Sequence, residues 1–191
     1  MDIASIIALV VVAALLFYIV SIYNHLVRLK HNVSKAWSNI DVLLKQRHDE
    51  IPKLVETCKQ YMQFEQDTLE KVMLARSRVS QARQDQDVPG LGSAEGALRM
   101  GLGQLFAVAE AYPELRANEN FQHLQGRITS LENTIADRRE FYNESVNINN
   151  IGIETFPDVI VARLFNFGAR DLLEFEASEI ADVNVKELFQ T

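Results

Sequence analysis

The chain has 191 residues, 48% of them hydrophobic and 24% charged, with a formal net charge of −7. Eight Gly and four Pro are about half the usual share, which excludes a fold of many short strands and favours long helices. A single cysteine, Cys58, excludes an internal disulfide framework and a multi-cysteine metal site, and a pI near 5.1 argues against a nucleic-acid binder.

Residues Ile3 to Tyr23 carry no charge, and thirteen of the twenty residues from Ile3 to Ile22 are Ile, Leu, Val or Phe. A twenty-residue helix reaches about 30 Å, the thickness of a bilayer's hydrocarbon core. At about −0.3 to −0.6 kcal/mol each, the thirteen supply at most about −4 to −8 kcal/mol for insertion. A cleaved signal peptide needs a basic start and a small-residue cleavage site. Here the start is Met1-Asp2 and the exit is Ser21-Ile22-Tyr23-Asn24. The segment is therefore expected to be a retained membrane anchor, with Ile3, Leu9, Leu15 and Phe17 in lipid and Tyr23 in the inner aromatic belt. No Lys or Arg precedes it, while Arg28, Lys30 and Lys35 follow. The positive-inside rule then places the amino terminus outside and the rest of the chain in the cytoplasm.

From Asn24 to about Gln86 the spacing predicts one long helix. One seam runs Leu26, Val33, Ile40, Arg47, Leu54, Tyr61, and the other Lys30, Trp37, Leu44, Ile51, Cys58, continuing to Val72 and Val79. Pro52 removes the bond to the carbonyl of His48, so a kink or a break is expected there. Residues 81–96, with Pro89, Gly90, Gly92 and Gly96, read as a loop. A second helix is expected from near Ser93, carrying Leu98, Leu102, Leu105, Ala109 and Tyr112 inward, with a corner at Tyr112-Pro113-Glu114. A third starts between Asn118 and Asn120, with the seam Phe121, Leu124, Ile128, Leu131, Ile135, Arg138, Tyr142, Ser145, Asn149. Phe156-Pro157 opens a short fourth helix with Val159, Ile160, Arg163, Leu164 and Phe167, terminated by Gly168. The tail from Arg170 is acidic, and Leu172, Leu173 and Phe175 are its candidates to dock. The first helix is about twice the length of the third, so part of its seam must be covered by the short helices, by the tail or by another protomer, which motivates self-association.

No H-E-x-x-H, G-x-S-x-G, P-loop, C-x-x-C or Glu-x-x-His occurs. The run Gly90–Gly96 lacks the spacing of a dinucleotide loop and reads as a flexible turn. No catalytic, cofactor-binding or metal-binding residue is assigned. Cys58, on the seam, reads as buried and inert. The sharpest polar group is Lys45-Gln46-Arg47-His48-Asp49-Glu50. Arg47 and Arg138 fall on apolar seams and require anions, for which Asp41, Asp49, Glu50, Glu65 and Glu132 are candidates. The favoured reading is a polar pair that sets helix register; the functional one is a partner or proton-handling site formed by Arg47, His48, Asp49, Arg138 and Tyr142. Trp37 lies too far beyond the span for the aromatic belt, so core or interface is expected.

The chain resembles the LemA family of bacterial membrane proteins. The resemblance is carried by Tyr23-Asn24, Leu26-Val27, Ala36-Trp37-Ser38, Ile40-Asp41-Val42, Leu44-Lys45, Arg47-His48-Asp49, Ile51-Pro52 and Leu54–Thr57. Further blocks are Tyr112–Leu115, Ala117-Asn118, Asn120-Phe121, Glu132-Asn133, Ile135-Ala136, Arg139, Tyr142-Asn143, Val146, Asn150 and Phe156-Pro157. It implies a single amino-terminal span, an antiparallel helical bundle, the orientation above and no established catalytic residue. It also implies a magnetosome-associated branch, and members encoded beside a membrane metalloprotease of the stress response. Departures are Glu50, where the family tends to be apolar, Arg138, often Ala, Asn149, often Tyr, and Asn166, often Gly.

The expected fold is all-α, an N-terminal transmembrane helix followed by an antiparallel bundle of long helices. Residues 1–23 form the anchor, 24–168 the bundle and 169–191 the tail. The expected function is a non-enzymatic scaffold that binds partners at the membrane, needs no cofactor, contacts lipid, forms homo-oligomers and binds no nucleic acid. One alternative is an adaptor for a membrane protease or other envelope protein, docking through residues 81–96 or the tail. Another is a helical-bundle hydrolase or metal-dependent oxidase.

Overall fold

The computed structural model describes residues 2–174, and every regular element among them is a helix. In order these are α1, Ile3–Lys59; α2, Gln66–Asp85; α3, Val88–Ala109; α4, Pro113–Arg116; α5, Glu119–Glu154; and α6, Asp158–Leu164. The chain divides into two units. The first is Met1–Asn39 with Glu140–Leu172, and the second is Ile40–Arg139 with the chain from Leu173 onward. An all-α chain with a long apolar N-terminal helix is what the scarcity of Gly and Pro implied.

In the first unit, α1 begins with a stretch exposed on all sides through residue 21. A helix stretch that is apolar all round and packs on none of the described residues is suited to lipid. From Ile22 a buried stripe begins. Ile22, Leu26 and Leu29 pack with Ile153 of α5 and with Val161 and Ala162 of α6. This short helix is the one the sequence predicts with Val159, Ile160, Arg163, Leu164 and Phe167, and its spacing does not fix the buried side. The buried pair is Val161 and Ala162, while Ile160 and Leu164 are exposed. The helix stops at Asn166, whose φ is +55°, with the Phe167 N–H donating to the Ala162 carbonyl at 2.9 Å. That left-handed stop was expected at Gly168, which has no positive φ.

The second unit packs residues 40–59 of α1 with α2, α3 and the first part of α5. The predicted single helix to Gln86 is two helices, because the chain turns at residues 60–65 and folds α2 back. Asp41 meets Arg83 and His48 meets Arg76, so the two helices run antiparallel. Glu50 with Arg127 and Arg47 with Glu132 set the same relation between α1 and α5. The turn carries no Gly or Pro, yet folding back buries Met62, Leu69, Val72 and Val79 against the stripe. That burial stabilises by about 1.5–3 kcal/mol for each large side chain.

The predicted loop at 81–96 is absent. Only Gln86 and Asp87 separate α2 from α3. Gln86 takes the left-handed conformation (φ +56°), and the Asp87 N–H closes α2 on the Ala82 carbonyl. The Asp87 carboxylate then caps α3 by accepting from the Gly90 N–H at 3.0 Å, with Pro89 in the first turn. Pro89 and Gly90 therefore open a helix rather than interrupt one, and Gly90–Gly96 is helical and not a flexible turn. Gly92 lies against the Glu174 backbone carbonyl, where any β-carbon would collide. Leu173 beside it is fully buried and Leu172 partly so, as expected for a docked tail; Phe175 lies outside the described residues. Asn118 caps α5, accepting from the Phe121 N–H at 3.0 Å.

Candidate functional site

Arg47 is 1% exposed, on the buried stripe of α1 between Leu44 and Ile51. One guanidinium nitrogen donates to Glu132 of α5 and another to both carboxylate oxygens of Glu95 of α3. Glu95 is itself buried. Burial disfavours the charge of Arg47, but attraction and hydrogen bonds from Glu95 and Glu132 outweigh it and hold the pKa above the ordinary arginine value. The Nε–H has no hydrogen-bond partner among the described residues. The result is a three-helix clamp in which a planar fork is shared between two carboxylates.

One turn further along, Pro52 sits inside an unbroken α1. Proline leaves the carbonyl four residues earlier without its N–H, and here that carbonyl belongs to His48. Arg76 of α2 supplies the missing donor, its Nε–H reaching the His48 carbonyl at 2.8 Å. A second Arg76 nitrogen lies 2.7 Å from His48 Nε2. Guanidinium only donates, so Nε2 is an acceptor and the ring is neutral. Burial and then the Arg76 charge hold the His48 pKa below its usual value. Around this pair, Asp41 meets Arg83 at 3.5 Å, and Glu50 accepts from Lys53 at 3.2 Å and Arg127 at 3.1 Å. Burial works against the Glu50 carboxylate, but those two cations bring its pKa below the ordinary range.

Of the residues singled out from the sequence, Arg47 and His48 take part in this network, pointing to different neighbours, and Asp49 is exposed. Arg138 is a correction. It faces solvent, and the partly buried position is Arg139. The observed stripe of α5 runs Leu131, Ile135, Arg139, Tyr142, Val146, Asn149, Ile153. Its two successive steps of four shift the face away from a strict seven-residue repeat, so Val146 replaces Ser145 as well. Tyr142 belongs to the first unit. Its ring stacks at a tilt on Trp37, with centroids 5.5 Å apart, and its hydroxyl donates to the Asp171 carbonyl at 3.0 Å. Burial raises its pKa. Trp37 is thus part of that unit's packing. Among the five candidate anions for Arg47, Glu132 is a partner and Glu95 was missed. Extending the α3 stripe back from Leu98 to Leu91 passes through position 95 and would have found it. Cys58 is buried, and burial pushes its thiol up to about 12.

A model of the LemA family matches residues 36–186. The chain belongs to the LemA family. Protein LemA of Metamycoplasma hominis is 30% identical over 178 residues, 91% of this chain and 79% of the relative. Magnetosome protein MamQ 2 of Paramagnetospirillum magneticum is 29% identical over 97 residues. Magnetosome protein MamQ of Magnetospirillum gryphiswaldense is 25% identical over the same length. These alignments cover 51% of this chain and only 36% of the magnetosome proteins. With its apolar N-terminal helix, this is a LemA-like membrane-associated protein.

The departures from the LemA pattern acquire positions. Asn166 occupies a left-handed turn that asparagine tolerates best among residues with a side chain. Glu50 lies at the α1–α5 contact and is neutralised there by Arg127 and Lys53. Asn149 is buried and donates to the Asn150 side chain at 3.2 Å. Asn150 in turn pairs twice with the Arg170 backbone, at 2.9 Å each way.

Proposed function

We propose that this LemA-family protein is a non-catalytic scaffold tethered to a bacterial inner membrane, with its amino terminus outside and its helices on the cytoplasmic side, and that it binds a protein partner there. One observation carries the reading. α1 is both the apolar anchor and a packed helix of the bundle, with no linker between the two roles. Such a chain cannot release its bundle from the membrane without breaking the helix. The buried charges of Arg47 and Glu95 and the half-buried Glu132 are engaged with one another across three helices, which suits a register clamp better than a reaction centre. An apolar cleft of about 660 Å³ at the α1–α2 turn, lined by Val55, Met62, Phe64, Leu69 and Met73, supports partner binding. Phe64 there is 94% exposed.

Two measurements on the full chain in native membranes test this. Trypsin is expected to digest the bundle in inverted vesicles and to spare it in right-side-out ones; the reverse pattern overturns the orientation. A photocrosslinking residue at Phe64 is expected to yield a discrete adduct with an envelope protein, and the same residue at exposed Met100 none. Equal adducts from both positions would remove the support for a partner cleft.

A further inference from the structure

The first unit holds exposed apolar side chains that its own packing leaves unused. Ile160 and Leu164 are one turn apart and so share one side of α6, and Phe156 lies in the turn that precedes the helix. In that order they are 59%, 71% and 77% exposed, and Phe165 beside them is half exposed. The opposite side of α6, Val161 and Ala162, packs on Ile22, Leu26 and Leu29. The Tyr23 ring meets Phe165 edge-on, with centroids 4.9 Å apart. α6 is therefore fastened to α1 at the residues where the exposed apolar stretch ends. That stretch, residues 3–21, spans about 28 Å as a helix, against about 30 Å of hydrocarbon. The lipid boundary then falls at the level of Ile22 and Tyr23, where α6 sits. Next to the apolar row is a mainly polar cavity of about 300 Å³, lined by Tyr23, Lys30, His31, Asn149, Phe165 and Arg170. Two of these are cations, placed where a lipid phosphate layer would lie.

We propose that α6 and its flanking residues form a membrane-contacting edge, where Ile160 and Leu164 of the helix, with Phe156 before it and Phe165 after it, enter the interface of an anionic bilayer beside the exit of α1, with Lys30 and Arg170 facing the headgroups. The inference rests on the reading of residues 3–21 as a span. The occupant is the bilayer itself because the row is continuous with that span and adjoins basic groups. α6 then lies as an interfacial segment, with exposed Ile160 and Leu164 shallowly buried and the neighbouring exposed Arg163 at headgroup level.

The test uses the full chain in vesicles of phosphatidylethanolamine and phosphatidylglycerol. Single cysteines replace Leu164, Leu9 or Asn39 and carry an environment-sensitive fluorophore. Buried Cys58, with its thiol protonated, stays unlabelled in the folded protein. Asn39 is exposed on α1 of the same unit, about 24 Å beyond Tyr23 by helical rise. The Leu164 label is expected to emit to the blue of the Asn39 label, to lose fluorescence to lipid bearing a doxyl group near the headgroup, and to resist aqueous iodide. Iodide quenching of Leu164 equal to that of Asn39, with Leu9 quenched by lipid, overturns the edge and leaves the span standing. A Leu9 label untouched by lipid quenchers overturns both. The same labels at Ile160, also exposed, guard against a misfolded variant.

Discussion

Arg47 shows how a single buried charge constrains three helices. Replacing it with Met strands the buried Glu95 and the partly exposed Glu132 without their cation, and the expected cost is about 3–5 kcal/mol. Changing both glutamates to Leu in the same background removes the stranded charges and is expected to recover most of that loss. Thermal or urea denaturation of the detergent-solubilised chain measures both. The Pro52–His48–Arg76 relation makes a sharper case. Arg76→Ala strands the His48 carbonyl and is expected to cost about 1–3 kcal/mol. With Pro52→Ala, the new N–H takes that carbonyl, so Arg76→Ala should cost about 1 kcal/mol less in that background. An additive cycle would show that Arg76 does not replace the proline's missing bond. His48 also carries a pH dependence with a definite sign. Its folded pKa lies below the unfolded value near 6.5, so unfolding takes up a proton as the pH falls. Stability is expected to be full above that value and to decline below it. His48→Gln, which keeps an acceptor for Arg76, should flatten that decline.

At the scale of elements, the two helix stops at Gln86 and Asn166 use left-handed residues other than glycine. Asn166→Gly is expected to leave the melting temperature unchanged or slightly raised. Asn166→Val should cost about 1–2 kcal/mol, because a β-branched side chain meets the following carbonyl in that conformation. Equal stability of the two variants would contradict the assigned stop. The same chemistry explains what the residue pattern concealed. A search for helix ends looks for Gly and Pro, and the α2–α3 junction has its left-handed residue at Gln86 while Pro89 and Gly90 lie inside the next helix. The stripes of α1 were legible from Leu26 to Cys58 because a 3.6-residue period is a local property. Arg138 was misplaced because a strict 3.5-residue spacing drifts around a straight helix, and α5 resets it with an extra step of four.

For the molecule as a whole, unequal helix lengths left the first long helix in need of cover from the short helices, the tail or a second copy. The observed fold weakens the case for a second copy, since α2 folds back on residues 41–62 and the α1 stripe is buried within one chain. Leu44→Ala is accordingly expected to cost about 2–5 kcal/mol and to leave the sedimenting mass in detergent unaltered. A change of mass on this substitution would show that the stripe also serves an interface between copies.

Hydrophobicity and its period are written residue by residue, so the apolar anchor, the all-helical class, the buried stripe of α1 and the presence of an arginine on it were determined by the sequence alone. Which carboxylates answer that arginine, which donor completes the proline turn, and which side of α6 is left bare are relations between segments tens of residues apart. Only folding settles them, because the energy of a buried charge or an exposed apolar side chain depends on what is brought beside it and not on its neighbours in the chain.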